Sequence, residues 1–327
     1  MQRLAETLRI LADGNFHSGE ELAQHLDVSR GTVWKQIESV RQAGLDVFAV
    51  RGRGYRLAQP FELLDREQIL AQMDDNSRAQ LEQLDIHWSV DSTNGWLMEQ
   101  AKRGADSGHT VLAELQTNGR GRRGRNWQSP LGGNIYLSQL WRINEGLNAV
   151  SGLSLATAVA LIRALRKVVA MEAGVKWPND ILVQGKKLAG ILLEISGEPA
   201  GPCHVVVGIG INVNLGSSAA QAIDQPWTDL HSLTHQPLAR NRLVAQLIME
   251  LMRVRRSAEQ QKLQPYLQEW RALDSYLGKQ VELHSPNGVF TGVVRGIDNS
   301  GALQLAHNGQ LMRFHSGEVS LRPRTSD

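Results

Sequence analysis

Between residues 119 and 127 the chain reads Gly-Arg-Gly-Arg-Arg-Gly-Arg-Asn-Trp. Gly119, Gly121 and Gly124 alternate with Arg120, Arg122, Arg123 and Arg125, and Trp127 closes the run. Glycine lets a backbone approach a ligand closely, and a guanidinium offers paired N–H donors that clamp carboxylate and phosphate oxygens. The chemistry expected of such a loop is anion binding, with a solvated basic turn or a nucleic-acid contact as the alternatives. The glycines also satisfy the G-x-G-x-x-G spacing of dinucleotide-binding folds. That fold needs a helix directly after the loop, and here Ser129-Pro130-Leu131-Gly132-Gly133 leads to a strand over 134–140 instead.

Further groups of suitable type flank this loop. Ser92, Thr93 and Asn94 precede a helix expected over 95–103, where they either cap the helix or hydrogen-bond a neutral polar head group. Gln116 follows a strand over 111–115. In Lys176-Trp177-Pro178-Asn179-Asp180 the proline argues against a strand interior, so Lys176, Asn179 and Asp180 are expected at an irregular strand entrance. Gly185-Lys186 reads as a hairpin turn, and Lys187 opens the apolar return strand over 187–194 with Gly190 nearby. Taken alone, Lys187 is an edge lysine whose stem covers apolar surface. A strand over 204–207 is expected to end in Gly208-Ile209-Gly210-Ile211-Asn212; its glycines permit close approach, and Asn212 either binds a nucleotide or holds a turn. Residues 216–225 read as a flexible surface loop leading to Pro226-Trp227, placed to cover a ligand.

Other chemistries lack their residues. No G-x-S-x-G, H-E-x-x-H or G-K-[ST] motif occurs. His231 and His235 are four apart without a third ligand, and the lone Cys203 excludes an internal disulfide or a cysteine-rich zinc site. No metal site built from protein alone is expected.

These groups must be positioned by a chain of 327 residues, enough for two or three domains at ~150 residues each. Hydrophobic residues make up 42% and charged residues 21%, which excludes disordered and fibrous classes. Residues 1–14 carry Arg3, Glu6, Arg9 and Asp13 and lack the apolar core of a signal peptide, and the most apolar stretch, 149–170, is broken by Arg163, Arg166 and Lys167. A cytoplasmic protein without a membrane partner is expected. Net charge is only +2, so any case for nucleic acid depends on where the charges sit.

They sit well at the amino terminus. Leu4, Leu8 and Leu11 recur at helical spacing before Gly14; Ser18 and Glu21 form a capping box; Ser29 caps a third helix with Val33, Ile37 and Val40 on its apolar face and Gly44 as its stop. A hairpin follows, with strands over 46–50 and 55–57 and Arg51-Gly52-Arg53-Gly54 at its tip. This is a winged helix-turn-helix. Ser29, Arg30, Thr32 and Lys35 are expected to face base edges and phosphates, with Arg51 and Arg53 on the sugar-phosphate backbone. A protein-interaction domain with a solvated basic hairpin is the alternative, and Trp34 is ambiguous, since aromatics on such a helix pack against the wing more often than against DNA. Beyond it come a helical connector to about residue 83, an α/β region from about 85 with a long helix over 151–169, helices over 241–276, and strands over 280–283, 288–297, 303–305 and 310–315 that suggest a small β-barrel.

On these residues the chain resembles, essentially end to end, the bacterial bifunctional biotin–protein ligases that also repress biotin operons. Residues 119–127 match the family's biotin-loop motif, and 176–180 and 187–192 match two further signatures, whereas 216–225 depart from its pattern. The resemblance implies an α+β multidomain protein: a winged helix-turn-helix (1–60), a helical connector (61–84), a ligase domain with a mixed sheet (85–272) and an SH3-like domain (273–327). It implies that biotin and MgATP give biotinyl-5′-AMP and pyrophosphate, and that a lysine of the biotin carboxyl carrier protein then takes the biotinyl group. Ser92, Thr93, Asn94, Gln116, Gly119, Gly121, Gly190 and Gly208 would surround biotin. Arg120, Arg122 and Lys187 would meet the reacting carboxylate and phosphate. Arg123, Arg125, Trp127, Lys176, Asn179, Asp180, Asn212, Trp227 and Arg322 would serve the nucleotide, with Mg2+ near Asp180. The adenylate would act as corepressor, driving a homodimer onto operator DNA. Two alternatives stay open: a ligand-sensing transcription factor without ligase activity, and a lipoate-ligase-like enzyme.

Overall fold

The computed structural model describes residues 2–58, 62–144, 150, 152–197, 201–236, 238–260, 262–286, 288–315 and 320–323, the side chains at 2, 217, 218, 320, 322 and 323 excepted. The amino-terminal unit comprises α1 (Gln2–Leu11), α2 (Gly19–His25), α3 (Arg30–Gln42) and the hairpin β1 (Val47–Val50) and β2 (Gly54–Leu57). Both expected caps form. Ser18 Oγ accepts from the Glu21 amide at 3.0 Å while the Glu21 carboxylate accepts from the Ser18 amide at 3.4 Å, and Ser29 Oγ accepts from the Thr32 amide at 3.2 Å. Leu8, Leu11, Leu22, Val33, Ile37 and Val40 bury together beneath the hairpin residues Val47 and Leu57. Gly54, at φ +99°, brings the wing against the backbone of His17, where an added Cβ would collide.

α4 (Arg66–Ala71) and α5 (Asp75–Ala79) lead into a seven-stranded mixed sheet. Its strands are β3 (Leu84–Val90), β4 (Thr110–Gln116), β5 (Ile135–Ile143), β6 (Gly174–Lys176), β7 (Asp180–Val183), β8 (Lys186–Gly197) and β9 (Cys203–Ile211), ordered β3-β4-β5-β9-β8-β7-β6. Only β3 and β4 run parallel, joined by the crossover helix α6 (Thr93–Lys102). The period-two alternation of strands sorts side chains between the two faces. Leu137 and Trp141 of β5, with Val205, Val207 and Ile209 of β9, enter the large core under α7 (Leu153–Val169). Leu140 and Val206 face the other way and pack on Leu97 and Ala101 of α6. The remaining residues of this second face, Tyr136, Ser138, Gly208 and Gly210, are left for the ligand site.

α8 (Ser217–Ala220) and α9 (Leu230–Thr234) follow the sheet, then α10 (Arg240–Glu259) packs on α7 and α11 (Gln264–Leu273) leads to the last unit. That unit is a five-stranded antiparallel sheet, β13-β12-β11-β10-β14, made of β10 (Gln280–Ser285), β11 (Gly288–Ile297), β12 (Leu303–His307), β13 (Gln310–Phe314) and β14 (Ser320–Pro323). Its core residues Val281, Leu283, Leu303 and Leu305 belong to the same apolar cluster as the central domain, and Trp177 Nε1 donates to the Gly301 carbonyl at 3.1 Å. Among the described residues no helix is long and apolar enough to cross a membrane.

Four expectations change. α6 starts at Thr93 rather than at residue 95, with Ser92 as its cap. The glycines after residue 207 lie inside β9 rather than at its end, paired on both sides with β5 and β8. Residues 174–183 form a hairpin of their own, β6 and β7, with Lys176 opposite Asp180. Residues 216–225, read as loop throughout, contain the one-turn helix α8.

Candidate ligand site and nucleic-acid interface

A cleft lies on the open face of the sheet, where the amino terminus of α6, the glycine-arginine loop and the β6–β7 turn converge. At one end is a connected polar network. Ser92 Oγ accepts from the Gly95 amide at 3.4 Å. The Thr93 amide and hydroxyl donate to Gln116 Oε1 at 2.8 and 3.0 Å, and Gln116 Nε2 donates to Ser129 Oγ at 3.0 Å. Ser138 Oγ lies 2.6 Å from Asn94 Oδ1 and 2.8 Å from Thr93 Oγ1, while Asn94 Nδ2 donates to the Leu192 carbonyl at 3.3 Å. A fixed set of donors and acceptors like this suits a neutral, hydrogen-bonding head group better than a charged one. Gly208 lines the cleft and has a further job: a Cβ there would overlap the Asn94 carboxamide, so the glycine makes room for Asn94.

The loop folds back on itself. The Gly121 amide donates to the Arg125 carbonyl at 2.7 Å, and the Trp127 amide to the Gly119 carbonyl at 2.9 Å. A single 3-10 turn spans Arg122–Gly124, with Arg123 at φ +59° and Gly124 at φ +70°. No α-helix follows. Gly119 does not line the cleft; a side chain there would strike Ser129 and the Trp127 carbonyl, so its role is to close the loop's base. The indole of Trp127 lies over Gly190 and Gly210, which face each other across β8 and β9, and a Cβ on Gly210 would come within 2.5 Å of the ring. Trp127 Nε1 is buried and has no hydrogen-bond partner among the described residues.

Charge gathers beside the indole. Lys187 Nζ is 5.3 Å from the Trp127 ring centre and forms an ion pair with Asp180 Oδ1 at 2.7 Å, the two side chains being 16% and 14% exposed. An Arg122 Nη donates to Asn179 Oδ1 at 3.2 Å; burial lowers the Arg122 guanidinium from its usual value, with Asp180 opposing the shift. Arg120 pairs with Glu194 at 3.2 Å in a more exposed setting, which contributes little stability. Lys176 Nζ lies 5.9 Å from the ring of Tyr276, at the start of the last domain. Arg123 and Arg125 also line the cleft and are exposed.

A second chamber adjoins the first and shares Arg125, Asn126, Trp127, Lys187 and Gln225 with it. Asn212 and Trp227 line this one. Asn212 Nδ2 donates to the Thr228 carbonyl at 3.1 Å, which holds the segment after Pro226 against β8; there the Lys187 amide donates to the Pro226 carbonyl at 2.9 Å. Ala222, Ile223 and Asp224, from the second half of 216–225, form the outer wall. Arg322 was expected to serve the nucleotide; its side chain lies outside the described residues, although its neighbour Leu321 lines the first chamber.

Tyr136, Ile191 and Leu192 line the cleft and escaped the sequence reading, as did Ser138, which does not line it but hydrogen-bonds Thr93 and Asn94. Strict alternation along β5 would have found Tyr136 and Ser138, because it places them on the face of Leu140. Among the described residues no group of three or more His, Cys, Asp or Glu could hold a metal ion, and Asp180 is the sole acidic residue lining the first chamber.

On the helix-turn-helix, Arg30, Lys35 and Arg51 are exposed. Ser29 and Thr32 are engaged with each other, Oγ to Oγ1 at 3.0 Å, and with the helix start. Arg53 and Arg56 stack on the Phe16 ring at 4.4 and 4.9 Å. Trp34, ambiguous from the sequence, is 55% exposed.

Comparison with known proteins accords with this architecture. Residues 88–212 match the biotin/lipoate A/B protein ligase family, residues 3–56 a helix-turn-helix domain and residues 276–322 the biotin protein ligase C-terminal domain. The chain belongs to the biotin/lipoate A/B protein ligase family. It is 41% identical over 96% of its length to the bifunctional ligase/repressor BirA of Escherichia coli (strain K12), covering 96% of that protein. The protein of the same name from Bacillus subtilis (strain 168) is 31% identical, over 95% of each chain. The solved biotin protein ligase from Aquifex aeolicus, in complex with biotin and ATP, superposes with a TM-score of 0.65 at 29% identity, covering 74% of this chain and 100% of that one.

Proposed function

We propose that this chain is an ATP-dependent biotin–protein ligase that also binds DNA as a repressor of biotin genes. The observation that carries the reading is the cluster of Lys187, Asp180 and Arg122 at the junction of two chambers, one lined by neutral hydrogen-bonding groups and the other closed by Trp127 and Trp227. Biotin's neutral ring system fits the Ser92, Thr93, Asn94 and Gln116 end, and the nucleotide fits the second chamber and the β6–β7 turn. The reacting carboxylate and α-phosphate then meet beside Lys187.

Bringing two anions together is the central difficulty. At ~4 Å, two unit charges repel by about 4 kcal/mol at an effective dielectric of about 20. Lys187 and Arg122 are preorganised to offset that repulsion as it develops, which is the form of electrostatic stabilisation that lowers a barrier most. The carboxylate oxygen attacks the α-phosphate, pyrophosphate leaves, and the resulting biotinyl-5′-AMP is an activated acyl group. The lysine amine of a carrier protein then displaces AMP. Arg122 and the folded loop keep water from the intermediate. Lys176 and Asn179 bind the departing phosphates. Asp180 suits a Mg2+ ion that arrives with the nucleotide, since such ions commonly use one or two carboxylates together with substrate phosphates. The adenylate is also the corepressor: loop ordering around it favours a homodimer whose two winged helices reach two half-sites.

The test uses purified protein with biotin, MgATP and a biotin acceptor domain, following acceptor mass and pyrophosphate. Biotin-dependent mass gain that disappears in Lys187→Ala or Arg122→Gly supports the reading. Labelling with lipoate instead, or ligand-dependent DNA binding without adenylate formation, overturns it.

A further inference from the structure

We propose that Trp34 is a sequence-reading residue, whose indole recognises the C5-methyl group of a thymine in the major groove of the operator. The inference rests on the DNA-binding reading and adds to it the base that one side chain selects.

α3 divides cleanly into two faces. Val33, Gln36, Ile37 and Val40 are buried against the rest of the domain, while Arg30, Gly31, Trp34 and Lys35 are exposed. Trp34 is the one aromatic residue of this outer face, 55% exposed, and its ring meets neither another ring nor a cation among the described residues. Aromatic side chains elsewhere in the same domain are occupied: Phe16 carries Arg53 and Arg56, and Phe48 lies 5.3 Å from Arg56. Phe48 and Val50 of the wing are exposed as well, and lone exposed apolar residues are ordinary, so what distinguishes Trp34 is its place on the outer face of α3, the helix that enters the major groove in domains of this kind.

Three features say what the indole meets there. Arg30 lies one turn before Trp34 and Lys35 directly after it, so the indole is flanked by cations that suit a polyanion. Gly31, three residues earlier, carries no side chain and an added Cβ would meet only Ser29 Oγ, at 3.8 Å, so the helix surface before Trp34 is open to a close approach. Finally, Trp34 carries its single polar atom at one edge of a broad apolar ring. The major groove offers one apolar feature that distinguishes a base, the thymine methyl group, and apolar side chains on recognition helices contact it.

The experiment uses the full chain with biotin and MgATP. Duplexes are selected from a random pool, and the selected site is resynthesised with each thymine replaced in turn by deoxyuridine, which deletes only the methyl group. At one position per half-site the replacement should weaken binding about four-fold, the effect of exposing one methyl group. Trp34→Ala should bind the thymine and deoxyuridine duplexes equally, and its own selected sites should lose the thymine preference there. Trp34→Phe should retain part of it. Both variants should biotinylate an acceptor domain at the parent rate, because Trp34 lines neither chamber of the ligase site. A variant that loses affinity equally for all duplexes, with the thymine–uracil difference intact, places the indole on the sugar-phosphate backbone and overturns the inference. Selection of no sequence by the parent protein overturns the DNA-binding reading and this inference with it.

Discussion

Lys187 and Asp180 sit on neighbouring antiparallel strands and meet at 2.7 Å beside the face of Trp127, so the lysine that lines both chambers is held by a carboxylate at the start of β7. The pair links the two halves of the site. Removing the lysine should therefore affect both chemistry and local stability. Lys187→Ala should slow adenylate formation by about 10²-fold or more, as loss of a preorganised electrostatic group does. It also strands Asp180. The double variant Lys187→Ala/Asp180→Asn should recover melting temperature without recovering pyrophosphate release, and recovery of the rate would remove Lys187 from the mechanism.

Gly210→Ala should evict Trp127. The new Cβ would fall within 2.5 Å of the indole, against a ring already resting on two glycines of a paired sheet. Overpacking of this kind typically costs about 1–3 kcal/mol when the surroundings must shift. Here the loop can move instead of the sheet. A near-parental melting temperature with weakened biotin and ATP binding by calorimetry is expected; unchanged affinity for both ligands would mean that Trp127 is not part of the wall they meet.

Arg240→Met should be one of the most destabilising single changes in the central domain. Arg240 and Glu114 pair at 2.9 Å with side chains 1% and 4% exposed. Arg240 also donates to the carbonyls of Glu62 and Asn134, and Glu114 accepts from the Leu64 amide at 2.6 Å. Losing one partner of a buried pair costs about 3–5 kcal/mol because the other charge remains. Denaturant unfolding should show a loss of that order, while Arg166→Met, whose partner Glu172 is 87% exposed, should show much less.

The helix-turn-helix should weaken as pH rises. His17 sits between Asp13 and Glu21, at 3.1 and 3.0 Å; burial pulls its pKa down, but the two acidic hydrogen bonds outweigh it and leave the imidazole above its ordinary value of 6.5. A raised folded pKa means the folded state binds the proton more tightly. Its stabilisation is therefore complete below pH 6.5, the unfolded value, and is lost as pH climbs through the higher folded value. Thermal melts of the domain between mildly acidic and mildly alkaline pH should fall over that window, and His17→Gln should flatten the dependence. An unchanged slope in the variant would assign the pH effect elsewhere.

Features that depend on a few neighbouring residues could be read along the chain. The Ser18–Glu21 capping box, the Ser29 cap, the Arg-tipped wing and the turn at Gly185 all form where their residues predict, because each is satisfied by hydrogen bonds or dihedral preferences within one turn. The composition of the glycine-arginine loop likewise carries the anion chemistry proposed for it. Features that depend on register between distant strands could not be read this way. Gly208 and Gly210 looked like a strand end, since isolated glycines weaken strands; inside the sheet their missing side chains are replaced by Asn94 and Trp127 from the opposite layer. Pro178 argued against a strand, and the flanking segments still pair as β6 and β7 because the proline sits in their turn. Lys187 looked like an edge residue until the pairing of β7 with β8 brought Asp180 beside it. Local preferences are encoded by neighbours in sequence, whereas the site's charge pairs and fitted surfaces exist only after strands tens of residues apart have packed.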